Sequence, residues 1–322
     1  MMTKKKLLLQ TIDLIMLPIT VLSAFWFKFI RYHIQGFWFS NSPISKTVLR
    51  KIGVFPVVNH YYDSFYSYDN LKDKEFNVRE LTGIDLNIDG QLSLLNSFNY
   101  NSELMEIERL PKGTLNYSFN KGPFLSGDSE ILFNMIRSFK PNRIIEIGCG
   151  HSSLMIQHAI NYNKKEFTNY TCEHTCIEPY ENNWLSELDV KVIREKVEDL
   201  PITFFNTLQK NDILFIDSTH IIRPQGDVLF EYLQLLPSLN SGVLVHIHDI
   251  FTPRDYLKEW LQKGQLFWNE QYLLESFLTF NLRFEVICAV NYLTNDYFKD
   301  ISKVCPFLTN DRQPGSFWIR CK

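Results

Sequence analysis

Cysteine is scarce in this chain. Six residues, Cys149, Cys172, Cys176, Cys288, Cys305 and Cys321, are scattered through 322 positions. That spacing is no disulfide framework, so they read as reduced thiols of a cytoplasmic-type compartment. A charge excess of one sign is also missing, with 33 Lys and Arg against 36 Asp and Glu. Without a basic surplus to neutralise a phosphate backbone, no nucleic-acid partner is expected. Internal repeats and low-complexity tracts are absent, and no small-residue cleavage site marks a removable signal peptide. Apolar and aromatic residues are abundant instead: 45% of the chain is hydrophobic, with 26 Phe, 15 Tyr and 6 Trp. Such a chain can bury a sizeable core, as one large domain or two modest ones.

Residues 7–27, LLLQTIDLIMLPITVLSAFWF, carry the one membrane signal. About 20 apolar residues suffice to cross a bilayer as a helix. Gln10, Asp13 and Pro18 interrupt this run, and a buried Asp costs roughly 2.5–3.5 kcal/mol at a helix centre. Basic residues flank both ends: Lys4, Lys5 and Lys6 before it, then Lys28, Arg31, Lys46, Arg50 and Lys51. They suit an anionic membrane surface. An interfacial anchor, a full span and a hydrophobic helix packed on the protein all remain open. Residues 1–52 thus form a hydrophobic N-terminal segment, a helical extension and possible membrane anchor.

Residues 53–125 form a mixed region without strong periodicity, read as a cap or substrate region. Within it, Asp85, Asn87, Asp89 and Gly90 match half of a calcium loop, but Asn96 stands where the bidentate Glu belongs. A polar turn is expected there. From residue 126 the pattern changes. Asp128 is placed to cap a helix over 129–139, with Ile131, Leu132, Met135 and Ile136 as its apolar stripe. Short apolar runs follow at Ile144–Ile147, to Glu178, and at Val190–Ile193, Ile213–Asp217, Val243–Ile247 and Phe284–Ala289. Helical stretches separate most of them. This alternation predicts a doubly wound α/β domain over 126–322, with a mostly parallel sheet and helices on both faces. Ligands of such sheets bind beyond the carboxyl ends of the strands.

The first strand runs into Glu146-Ile-Gly148-Cys-Gly150-His-Ser152-Ser153. Two glycines permit a sharp turn and close ligand approach, and a helix N-terminus follows. The third glycine of a dinucleotide fingerprint is absent. A carboxylate two residues before the first glycine would accept from an ammonium and repel a pyrophosphate. The second strand ends in Glu178, suited to both hydroxyls of a ribose. The fourth ends Asp217-Ser-Thr-His220 and the fifth His246-Ile-His248-Asp249. Imidazoles suit proton abstraction near neutral pH, and carboxylates with imidazole suit a divalent metal. The segment Cys172-Glu-His174-Thr-Cys176 lacks a second pair at zinc-site spacing and reads as thiols in and beside a strand.

The set Glu146, Gly148, Gly150, Ser152, Glu178 and Asp217 resembles class I S-adenosylmethionine-dependent methyltransferases. The stretch Val245-His246-Ile-His248-Asp249-Ile-Phe-Thr-Pro253, with Trp260 and Trp268-Asn269-Glu270-Gln271-Tyr272, is similar to a bacterial branch associated with polysaccharide or natural-product biosynthesis. The resemblance implies a Rossmann-like seven-stranded sheet ending in a reversed hairpin, formed by Phe284–Ala289 and Ser316–Arg320. It implies that Glu146, Gly148 and Gly150 line the methionine part of the cofactor, that Ser152 opens the helix and that Glu178 holds the ribose. Glu195–Asp199 would lie near the adenine and Asp217 by the methionine amine or on a metal. Related sugar O-methyltransferases hold Mg²⁺ on acids matching Asp217 and Asp249, although Ile250 stands where a second acid or Asn often follows.

The activity these residues imply is methyl transfer to a hydroxyl of a sugar or other small molecule, a glycan acceptor included. His220 and His248 are the candidate bases. A nicotinamide-dependent oxidoreductase is the competing enzyme, and a membrane-associated scaffold that lost its chemistry is the non-enzymatic alternative. Acceptor contacts are expected from 53–125 and from Phe251, Tyr256, Trp260 and Trp268, which could equally be core aromatics.

Overall fold

The computed structural model describes residues 4–31, 43–60, 63–67, 71, 78–111, 115, 117–180 and 182–322. The chain divides into two compact units, 1–72 and 73–322. In the first, α1 (Lys4–Phe29) and α2 (Pro43–Ile52) are the helices described. None of the residues of α1 is buried, and its leucines and isoleucines are solvent-exposed along its length. Arg31, just past α1, pairs with Asp63 at 2.6 Å and lies over the Phe55 ring.

The second unit opens with α3 (Ile88–Ser97), α4 (Asn101–Arg109) and α5 (Asp128–Phe139). The half calcium loop is a polar turn. Asp85 Oδ1 accepts from Asn87 N at 2.7 Å, and Asn87, in the left-handed region, precedes α3. At α5 the cap differs from expectation. Gly127 is the capping residue, and its N–H donates to Glu130 Oε2 at 2.6 Å. Asp128 is drawn away because its Oδ1 accepts from Ser316 N at 2.7 Å.

Strands and helices then alternate: β1 (Arg143–Ile147), α6 (His151–Glu166), β2 (Glu173–Ile177), β3 (Lys191–Ile193), α7 (Ile202–Phe205) and β4 (Ile213–Ile216). Next, α8 (Asp227–Phe230) passes through a π turn into α9 (Leu236–Ser238). They are followed by β5 (Leu244–Ile247), α10 (Glu270–Leu278), β6 (Phe284–Ala289), α11 (Val290–Asp296), α12 (Phe298–Ile301) and β7 (Phe317–Cys321). The seven strands form one sheet in the order β3-β2-β1-β4-β5-β7-β6. Five are parallel, and β7 inserts antiparallel between β5 and β6.

Both faces of the sheet are covered, which is why its strands are apolar at successive positions. Ile144, Ile213, Phe215 and Leu244 face a core with α5 and α6. Ile145, Ile147, Leu214, Ile216, Val245 and Ile247 face the opposite core, with α8 to α10. The order of strands reverses between β1 and β4, and the ligand crevice of such a sheet lies beyond the carboxyl ends at that point.

Gly148 controls the chain at that crevice. Its φ is +75°, and a Cβ built on it would lie 1.8 Å from the carbonyl oxygen of Asp217. Gly148 N donates to Ile177 O at 3.1 Å, and Asp217 N donates to Ile147 O at 2.9 Å. No side chain fits between these loops. Gly148→Ala should therefore lose roughly 2–5 kcal/mol of stability, from the left-handed backbone plus overpacking. At Gly150, a Cβ would meet nothing within 4 Å. Gly150→Ala should cost no more than about 1 kcal/mol. Denaturant melts of the two variants check the contrast.

Candidate functional site

A cavity of about 730 Å³ opens at the carboxyl ends of β1, β2 and β4. Gly148, Glu178, Lys196, Val197, Asp217 and Thr219 are among its lining residues. Of the site residues expected from sequence, Gly148, Glu178 and Asp217 thus share one wall. Lys196, Val197 and Glu198 bring the stretch after β3 to the same space. Glu178 accepts from Cys149 N at 3.3 Å through Oε2 and from Tyr180 N at 3.1 Å through Oε1. The carboxylate thereby occupies a loop N–H beside the start of α6.

Glu146, Gly150 and Ser152 are not among the residues that line this cavity. Glu146 shares its strand face with Ile144, toward α6, while Ile145 and Ile147 face the other layer. Its carboxylate is fully buried and accepts from Ser152 Oγ at 2.5 Å, Ser153 Oγ at 2.7 Å and His174 Nε2 at 2.8 Å. Glu146 and Ser152 therefore brace the loop from beneath. Gly150, not Ser152, precedes the first residue of α6.

A second cluster stands at the ends of β4 and β5. His220 Nε2 lies 3.3 Å from Asp217 Oδ1 and 3.5 Å from Asp249 Oδ2. His248 Nε2 lies 3.6 Å from Asp249 Oδ1. His220 and Asp249 both hold left-handed backbones, with φ of 60° and 56°. Asp and His tolerate that region better than most residues, and surrounding contacts must maintain it. For His220 those contacts come from the segment before α10. The carbonyl of His220 accepts from Asn269 N and Glu270 N, and Asn269 Oδ1 accepts from Ile222 N.

Electrostatics follows from this crowding. Burial pulls the His220 imidazole down, but its bonds to Asp217 and Glu270 outweigh that and hold its pKa well above the ordinary value. His248 is likewise pulled down by burial, yet Asp249, Asp217 and Asp128 leave it raised. Burial would push Asp217 up, but His248 and His220 hold it below the usual carboxylate range. Asp249 is raised, by burial first. His246 is a core residue: it stacks on Phe215 at 3.9 Å, its Nε2 meets Ser316 Oγ at 2.9 Å, and burial holds it well below its ordinary pKa.

Among the aromatics, Phe251 and Tyr256 are core residues. Trp268 covers His220, with ring centroids 4.5 Å apart. Sequence reasoning assigned no role to Glu270, which is fully buried at the start of α10. It pairs with His220 Nδ1 at 2.8 Å and accepts from Tyr232 OH at 3.0 Å. Its place directly after Trp268-Asn269 was the available signal. Burial, with Glu270 and Asp227 adding to it, pushes the neighbouring Glu231 carboxyl well up.

One atom each from Asp217, His220 and Asp249 lies within 4.8 Å of the other two. Two carboxylates and an imidazole, the latter backed by Glu270, form a donor set that fits a divalent ion.

Residues 145–250 match a family described as a methyltransferase domain. An uncharacterized protein of Archaeoglobus fulgidus is 34% identical over 182 residues, spanning 52% of this chain and 80% of its own. The O-methyltransferase from Bacillus cereus, solved in complex with SAH, is similar at 12% identity. It covers 71% of this chain and 100% of its own, with a TM-score of 0.38, a likeness too distant to bear on function. The chain belongs to one family with the archaeal protein, and a methyltransferase domain is matched over its residues 145–250.

Proposed function

We propose that the chain moves the methyl group of S-adenosylmethionine to a hydroxyl oxygen of a sugar or other small-molecule or glycan acceptor. The observation that carries this reading is the negative rim of the cavity. Glu178 occupies Cys149 N, and Asp217 stands across Gly148. A sulfonium nucleoside with an ammonium group is attracted there, and a pyrophosphate is repelled. Glu178 takes the ribose hydroxyls, Asp217 the amine or, in the alternative, a metal, and the stretch Glu195–Asp199 borders the adenine. Gly148 and Gly150 admit the methionine part, while Glu146 and Ser152 set the loop's shape.

The acceptor oxygen forms a bond to the methyl carbon as the carbon–sulfur bond breaks, leaving S-adenosylhomocysteine. The sulfonium is already a good leaving group, so alignment and removal of one proton are what the protein supplies. His220 receives that proton at Nε2 in its neutral form, which its raised pKa makes available only as pH rises, with Glu270 holding Nδ1. His248, behind Asp249, is the alternative base. Asp217 and Asp249 would hold Mg²⁺, which lowers the pKa of a hydroxyl bound to it.

Methyl transfer from labelled cofactor across a panel of sugar and glycan acceptors tests the assignment. His220→Ala should lower kcat about 10²–10⁴-fold. Glu270→Gln should lower kcat with little change in KM for the cofactor. Normal turnover in a His220→Ala/His248→Ala double variant would remove both residues from the mechanism.

We further propose that residues 7–27 bind the cytoplasmic membrane on its inner face. The 26 residues of α1, at 1.5 Å each, make a rod of about 39 Å, longer than the hydrocarbon layer. Its apolar side chains are unburied and basic residues lie at both ends. The full chain should sediment with anionic vesicles, and an Ile15→Glu/Leu22→Glu variant should stay in the supernatant. Equal sedimentation of both proteins contradicts the proposal.

A further inference from the structure

Methyl transfer leaves unused a closed polar cluster under the Gly148–Gly150 loop, on the α6 side of the sheet. Glu146 and Cys176 face each other across the paired strands β1 and β2, and His174 lies two residues before Cys176 on the same face. Their donor atoms form a triangle. His174 Nε2 is 2.8 Å from Glu146 Oε2, Cys176 Sγ is 3.5 Å from His174 Nε2, and Cys176 Sγ is 3.6 Å from Glu146 Oε2. All three residues are buried. A fourth donor is available from the loop itself: buried Cys149 lies beside the cluster, its thiol donating to the carbonyl oxygens of Glu146 at 3.4 Å and Ile177 at 3.8 Å.

These spacings match a tetrahedral zinc site. With Zn–S near 2.3 Å and Zn–N or Zn–O near 2.0–2.1 Å, ligand atoms stand about 3.3–3.5 Å apart, and two sulfurs about 3.8 Å. Cys176 already keeps that distance from His174 and Glu146, so the His174–Glu146 edge must open by about 0.5 Å and the Cys149 thiol must turn from the Glu146 and Ile177 carbonyls toward the metal. The supporting contacts also fit. Ser152 and Ser153 donate to the Glu146 carboxylate, and Gln157 bonds His174 Nδ1 at 2.9 Å. Ligand carboxylates and imidazoles are held in this way in metal centres. Without a cation, the cluster is a fully desolvated carboxylate–imidazole pair beside two thiols, an arrangement that contributes little stability by itself.

We propose that Glu146, Cys149, His174 and Cys176 form a closed, structural zinc site that ties the Gly148–Gly150 loop to β2. On binding, both thiols release their protons and each sulfur gives a lone pair to the metal. His174 binds through Nε2, whose proton shifts to Nδ1, where Gln157 accepts it through its amide oxygen after a half-turn of the amide. The +2 ion meets two thiolates and one carboxylate, and the serine hydroxyls offset the remaining single negative charge. The pairing escapes sequence inspection because Cys172 and Cys176 suggest a local motif. Cys172 takes no part; the partners come from the neighbouring strand and its loop. The site stands on these contacts alone, whether or not the acceptor is a hydroxyl.

The test uses the full chain, stripped with a chelator and titrated with Co²⁺ as a spectroscopic probe for Zn²⁺. Thiolate-to-cobalt charge-transfer bands and visible bands of tetrahedral strength should appear at roughly one equivalent. Zinc should displace the cobalt. Cys172→Ser should keep the bands, and Cys149→Ser/Cys176→Ser should abolish them. Gln157→Leu should weaken metal binding about 10–100-fold while circular dichroism shows the fold intact. That variant and the unmodified chain carry the test if the cysteine variants do not fold. A metal held by Asp217 and Asp249 gives no thiolate band and is separated on that ground. Absence of charge-transfer bands in the unmodified chain, or their survival in the double cysteine variant, overturns the proposal. S-adenosylhomocysteine binding is read separately, so failure of one assignment is distinguishable from failure of the other.

Discussion

The contact between Gly148 and the backbone of Asp217 governs the whole site. One missing side chain lets the loop after β1 touch the loop after β4 at the point where strand order reverses. With that approach, Glu178, Gly148 and Asp217 face one cavity. Any larger residue would part the loops and separate the acids. The position is a packing constraint first, and the ligand-binding consequence follows from it.

Around this contact, acids outnumber the cations that could neutralise them. Asp217, Asp249 and Glu270 all converge on His220, and its bonds to Asp217 and Glu270 raise its pKa against the pull of burial. Glu270 reaches it from the start of α10, and the carbonyl of His220 accepts from the helix's first N–H. The left-handed backbone of His220 is therefore secured from both its main chain and its side chain. A cationic cofactor brought to this rim joins an electrostatic arrangement already built, without reorganising it.

Much of this was legible in the chain. Ile-rich runs alternating with helices located the parallel strands, because strands buried on both faces are apolar throughout. The rule that ligands gather beyond strand ends picked out Glu178, Asp217, His220, His248 and Asp249 together. Glu146 shows where local reading stops. A carboxylate before a glycine turn looks exposed in sequence, and only the strand face toward α6 explains why it is buried on two serines and His174. Glu270 was illegible for another reason, since 50 residues separate it from His220 and no periodicity links them. At α5, the pull of Ser316 on Asp128 transferred the cap to Gly127, a tertiary contact overriding a local preference.

On the function proposed, the rim of Gly148, Glu178 and Asp217 accepts a sulfonium nucleoside and rejects a dinucleotide. Calorimetric titration of the full chain with S-adenosylhomocysteine, beside NADH and NADPH, tests it most directly. Saturable binding of S-adenosylhomocysteine, weakened by Glu178→Ala, with no heat from either dinucleotide, is the result the account predicts. Saturable dinucleotide binding with no response to S-adenosylhomocysteine would contradict it.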